Sequence, residues 1–173
     1  RSSLISKDEY DPMTISNNIH KAAQWNQGDT GPNAKWDPEF CSQSVHAYIR
    51  HLHYIHDYIQ QQQQQTKDNH NTDDDDRIHI NTPSLPPHAR DLPSPHTTER
   101  ALKAMLKLKI PTYQLSKTIR QTEKLIGLIG YTQLTNSLSL RLLEANGKAG
   151  NIGRTIALLN LRKQRQYHTK DIE

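Results

Sequence analysis

A chain of 173 residues with 33% apolar and 6% aromatic side chains is not expected to form one compact core, because ordinary domains reach about 45–50% apolar with glycine counted. About 100 residues are expected to pack, with the rest solvated or wrapped on a partner. The net charge of +4 hides a split: residues 1–97 carry eight Lys+Arg against 13 Asp+Glu, and residues 98–173 carry 14 against five. The single cysteine, Cys41, excludes an internal disulfide and a cysteine-based zinc site, and no apolar run approaches the ~20 residues of a membrane span.

The chain begins Arg1-Ser2-Ser3 rather than with Met, so it is read as either a fragment or a processed form. A processed organellar protein fits the start because organelle transit peptides, rich in Arg and Ser, are removed on import. A first helix is predicted from about Met13 to Gln27, capped by Thr14, with Ile15, Ile19 and Ala22 on one face. Trp25 and Trp36 flank the loop that carries Gly28, Gly31 and Pro32. In a chain this poor in aromatics they are read as partner-anchoring residues, the alternative being a small local core. Asp37-Pro38 then opens a second helix, with an N-cap followed by proline at the first helical position. Its seam of Cys41, Val45, Tyr48, Leu52, Ile55 and Ile59 must be buried, either on the first helix or on a neighbouring chain.

Four histidines, His46, His51, His53 and His56, share the second helix with Asp57. They contain no i,i+4 histidine pair, so the polar side of an amphipathic helix explains them better than a metal site. Residues 60–65 are all glutamine and can prolong the helix. Four aspartates (Asp73 to Asp76) and five of the nine prolines follow, so residues 66–97 are expected to form an extended or disordered linker. The organisation is therefore an N-terminal helical segment (1–65), a polar linker (66–97) and a basic helical domain (98–173).

The basic part is helical throughout. A third helix is predicted from Thr98 to about Lys109, with Ala101, Leu102, Met105 and Leu106 apolar and Ile110-Pro111 closing it. A fourth runs from Thr112 to Ile126 or Ile129 with Leu115 and Ile119 on its face, and Gly127 and Gly130 mark its end. A fifth covers about Thr132 to Asn146. After a turn bracketed by Gly147 and Gly150, Asn151 caps a sixth that runs to about Gln166, with Ile152, Ile156, Leu158 and Leu159 inward. No segment alternates with the period of a strand, so the fold class is all-α: short helical hairpins, an N-terminal helix pair and a long extended linker.

The Gly147-Lys148-Ala149-Gly150 turn, the face of Ile156, Ala157, Leu158 and Leu159, and the basic end at Arg162, Lys163 and Arg165 resemble a pentatricopeptide-type (PPR-like) helical repeat. Counted from Ser137, 35 residues end at Asp171. The resemblance covers one clear unit, and a solenoid needs about three to bury a continuous core. It implies an α-α pair and an organellar, RNA-associated setting. The family's base-reading positions fall on Arg141 and Asp171. Arg141 departs from the usual Asn, Ser or Thr and suits a phosphate contact instead.

No phosphate loop is present, since neither Gly127 to Gly130 nor Gly147 to Gly153 follows a strand or precedes Gly-Lys-Ser/Thr. Cys41 sits in an apolar seam, where a thiol is inert packing. No catalytic residue, metal ligand or cofactor is expected, and the chain is read as a non-enzyme. The concrete expectation is a mitochondrial (alternatively plastid) ribonucleoprotein subunit, such as a mitochondrial ribosomal protein. It would contact RNA phosphates through Arg120, Lys124, Arg141, Lys148, Arg154, Arg162, Lys163 and Arg165 and lie across neighbouring protein subunits. The alternative is a structural or assembly subunit of a respiratory or photosynthetic complex that binds protein rather than RNA.

Overall fold

The computed structural model describes residues 11–24, 37–68, 94–130 and 134–170, with the side chains of 66–68 and 165–170 excepted. Six α-helices occupy them: α1 Pro12–Gln24, α2 Pro38–Asp68, α3 Pro95–Met105, α4 Thr112–Ile129, α5 Asn136–Lys148 and α6 Ile152–Lys170. No strand occurs among the described residues, so the fold is all-α. No helix among them is long and apolar enough to cross a membrane.

Aspartate-proline and serine-proline pairs open the first three helices. Asp11, not Thr14, caps α1: its Oδ2 accepts from the Thr14 backbone N–H at 3.0 Å. Asp37 Oδ1 accepts from the Glu39 N–H at 2.9 Å, and the Ser94 hydroxyl accepts from the Thr97 N–H. In each case proline follows at the first helical position, where its missing N–H leaves no hydrogen bond unmade. α2 carries straight through the glutamine run to Asp68, and α3 begins at Pro95. Both ends of the expected linker are thus helical, while residues 69–93 lie outside the described residues. α3 stops at Met105, short of Lys109, and Leu106 and Lys107 form a turn. α5 starts at Asn136 with Thr135 accepting from the Leu138 N–H.

The α5–α6 turn differs from its expected geometry. Gly147 lies inside α5, and only Gly150 is left-handed, at φ 72°. The Asn151 N–H donates to the Asn146 carbonyl at 2.9 Å and the Gly150 N–H to the Gly147 carbonyl at 3.1 Å. These two bonds make a Schellman stop. Asn151 does not spend its side chain on capping α6. Its Oδ1 accepts from the Ser116 hydroxyl of α4, and its Nδ2 donates to buried Asn146 at 2.9 Å. Likewise Gly127 sits within α4, and the left-handed cap falls on Gly130 at φ 74°.

The α2 seam is buried as its spacing predicts, with Cys41, Val45, Tyr48, Leu52, Ile55 and Ile59 all inside. It packs on α1, and also on α3 and α4. One core draws on every helix, from Ile15 and Ile19 through Leu102, Met105 and Ile119 to Leu142 and Leu158. The apolar area that each half lacks is therefore supplied by the other half. Three polar contacts fasten the seam between α2, α3 and α1. The Tyr48 hydroxyl lies 3.3 Å from that of Thr98, and burial drives the phenol pKa far up. The Cys41 thiol donates to the Ala104 carbonyl at 3.4 Å. Lys107 Nζ donates to the Ala23 carbonyl at 2.7 Å, placing a cation on the open C-terminal end of α1.

Two expectations about facing are corrected. Ile152, Ile156 and Leu159 of α6 are 72%, 53% and 42% exposed, leaving Leu158 as the buried residue of that set. α6 lies at the margin of the bundle and packs chiefly on α5, so just one narrow strip of it finds a neighbour. His51 is not on the polar side of α2 with His46 and His53; it is buried. The first helix covers that side of the seam, which an isolated helical wheel does not reveal.

Candidate nucleic-acid interface

The expected phosphate-binding residues fall into two groups. Arg141 and Lys148 both grip Glu144 on their own helix, three and four residues away. The hydrogen bond from Lys148, helped by Arg141, holds the Glu144 carboxyl below its usual pKa. Arg154 reaches across to Glu123 of α4 and pairs with it. Arg162 is turned inward and donates to the Asn136 carbonyl at 3.1 Å and the Ser139 hydroxyl at 2.6 Å. Arg154 and Arg162 thus tie α6 to α4 and α5, while Arg141 and Lys148 are committed within α5.

Arg120, Lys124 and Lys163 are exposed and enter no salt bridge among the described residues. Arg165 belongs to the backbone of α6, but its side chain lies outside the described residues, as do Trp25 and Trp36.

Sequence reasoning missed two members of the first surface. Tyr113, Lys117, Arg120 and Lys124 recur at i, i+4, i+7 and i+11, which is one face of α4. All four are exposed, Tyr113 at 70%. Its hydroxyl accepts from Gln114 Nε2 at 3.0 Å, which orients the ring. The rise of about 1.5 Å per residue spreads the three cations over about 10 Å. Glu123, the lone acid of α4, is turned away: its carboxylate is taken by Arg154 and by Asn146 Nδ2 at 3.4 Å. The ridge therefore keeps its positive charge. At its side Gln121 Nε2 donates to His53 of α2 at 2.7 Å, which fixes the ridge against the seam helix. The 4-3-4 spacing that marks this face was readable in the sequence; the removal of the one acid from it was not.

Other chemistry has less footing. Among the described residues no three His, Cys, Asp or Glu side chains gather as a metal site. His53 bonds to Gln121 rather than sharing a ligand with Asp57, which lies 3.3 Å from His56. Burial raises the Cys41 thiol pKa, opposite to what a nucleophile needs.

Fold and surface together define an all-α bundle with an uncompensated cationic ridge on α4. No protein-family model matches the chain, and neither a curated protein nor a solved structure does.

Proposed function

We propose that this chain is a non-catalytic RNA-associated protein that holds backbone phosphates along the outward face of α4. One observation carries the reading: Lys117, Arg120 and Lys124 share a face of α4, whose only acid, Glu123, is committed to Arg154. Cations without acidic partners are available to phosphate oxygens, whereas Arg141, Lys148, Arg154 and Arg162 must first break internal contacts. Tyr113, at the start of the ridge, offers a ring on which a base can stack. The most concrete setting is a subunit of an organellar ribonucleoprotein, a mitochondrial ribosomal protein above all. The resemblance of residues 137–171 to a pentatricopeptide unit and the basic balance of residues 98–173 support that setting.

Filter binding to single-stranded RNA between 50 and 200 mM salt tests the reading. Three phosphate contacts predict a log–log slope of about −2, at roughly −0.7 per contact. Reversing the ridge with K117E, R120E and K124E should abolish binding and the slope together. R141A and K148A should leave affinity within about twofold, because Glu144 already holds both cations and they add no phosphate contact. A flat salt profile overturns the proposal. Retention in its native assembly after nuclease treatment points instead to a structural subunit held by protein.

A further inference from the structure

α6 presents a second, chemically different surface. Its buried side rests chiefly on α5, through Leu158 and the inward Arg162. On the other side Ile152, Ile156 and Leu159 stand exposed at i, i+4 and i+7, a continuous aliphatic stripe two turns long. The next position on that stripe, i+11, is Lys163, also exposed. No acidic residue occurs in α6 from Ile152 to Lys170. Along the helix axis the surface thus reads aliphatic first and cationic afterwards.

We propose that this stripe is the docking site for an amphipathic helix of a partner protein, whose apolar side covers Ile152, Ile156 and Leu159 and whose carboxylate meets Lys163. Charge complementarity selects this occupant. A second copy of α6 would bring apolar side chains but no carboxylate for Lys163. RNA would answer Lys163 but leave three aliphatic side chains facing phosphate and water. An in-plane membrane helix wants cations free beside its apolar stripe. Here Arg154 is held by Glu123, and Arg162 by Asn136 and Ser139. What remains is a linear order of apolar then positive, which a helix lying alongside can match turn by turn. The inference stands apart from the RNA reading, since it uses another helix and another chemistry.

Photo-cross-linking with the full chain tests it. Ile156→p-benzoylphenylalanine replaces an exposed side chain, so the bundle is undisturbed. Leu128→p-benzoylphenylalanine, on α4, is the control. After irradiation in an extract of cells that express the protein, the adducts are mapped to sequence by mass spectrometry. Adducts from position 156 should concentrate in one protein segment with helical apolar spacing flanked by Asp or Glu, and should survive nuclease treatment. K163E should cut their yield about threefold, the size of one exposed ion pair, with unchanged circular dichroism. Adducts to a copy of this chain, to RNA, to lipid or to a segment without acidic flanks overturn the proposal. So does the absence of adducts, or a yield that K163E does not change.

Discussion

His51 shows how burial redirects a single side chain. It sits in α2 with 4% of its surface exposed, and its Nε2 has no hydrogen-bond partner among the described residues. Its ring lies 5.6 Å from that of Tyr54, at a tilt. Burial lowers its pKa, with the charge of Asp11 opposing the shift in part. The imidazole is therefore neutral in the folded chain at neutral pH, and charging it costs stability. Since the folded value lies below the ordinary 6.5, the unfolded chain binds the proton more readily. Stability is then full above about pH 6.5 and declines as the pH falls toward the folded value. Urea titrations at pH 7.5 and pH 5 should show that loss, and His51→Leu should reduce it. An unchanged pH dependence in the variant would assign the loss to other groups. The cations tell a similar story: Arg141 and Arg120 look alike in the sequence, but Glu144 neutralises one and nothing among the described residues neutralises the other.

The α5–α6 hairpin separates what local sequence encodes from what it leaves open. A turn between two helices was legible from Gly147 and Gly150, but which glycine would leave the helix was not. Gly150 takes φ 72° while Gly147 stays helical and exposed. A Cβ at either would meet nothing within 4 Å, so backbone conformation alone sets the cost. Gly150→Ala should destabilise by about 1–2 kcal/mol. Gly147→Ala should be neutral or stabilise by up to about 1 kcal/mol, as alanine is the better helix former. Denaturant midpoints of the two variants check this pair of signs; equal effects would contradict the turn geometry. α6 teaches the same lesson about facing. Its spacing made Ile152, Ile156 and Leu159 an inward stripe by pattern, yet the bundle ends there and leaves them exposed. Periodicity identifies an apolar face but does not supply the element that covers it.

For the molecule as a whole, the low apolar content is resolved by sharing. α2 packs on α1, α3 and α4, and α3 packs on α1 and α5, so helices from before and after residues 69–93 bury one core. Both halves should then unfold together. Leu52→Ala in α2 and Leu142→Ala in α5 each remove a buried side chain, at a cost of about 2–5 kcal/mol. Each should lower the same single transition when followed by circular dichroism and by hydrogen exchange of the α2 and α5 amides. Two separable transitions would mean that the halves fold apart. The helical class, the α2 seam and the Asp37-Pro38 start of α2 were written in the sequence, because they depend on residues within a few positions of one another, whereas the starts at Pro12 and Pro95 were placed one and three residues too late. The placement of α1 over His51, the pairing of Glu123 with Arg154 and the open face of α6 depend on residues distant in sequence. Only the packing of the six helices decided those, and with them which cations reach solvent.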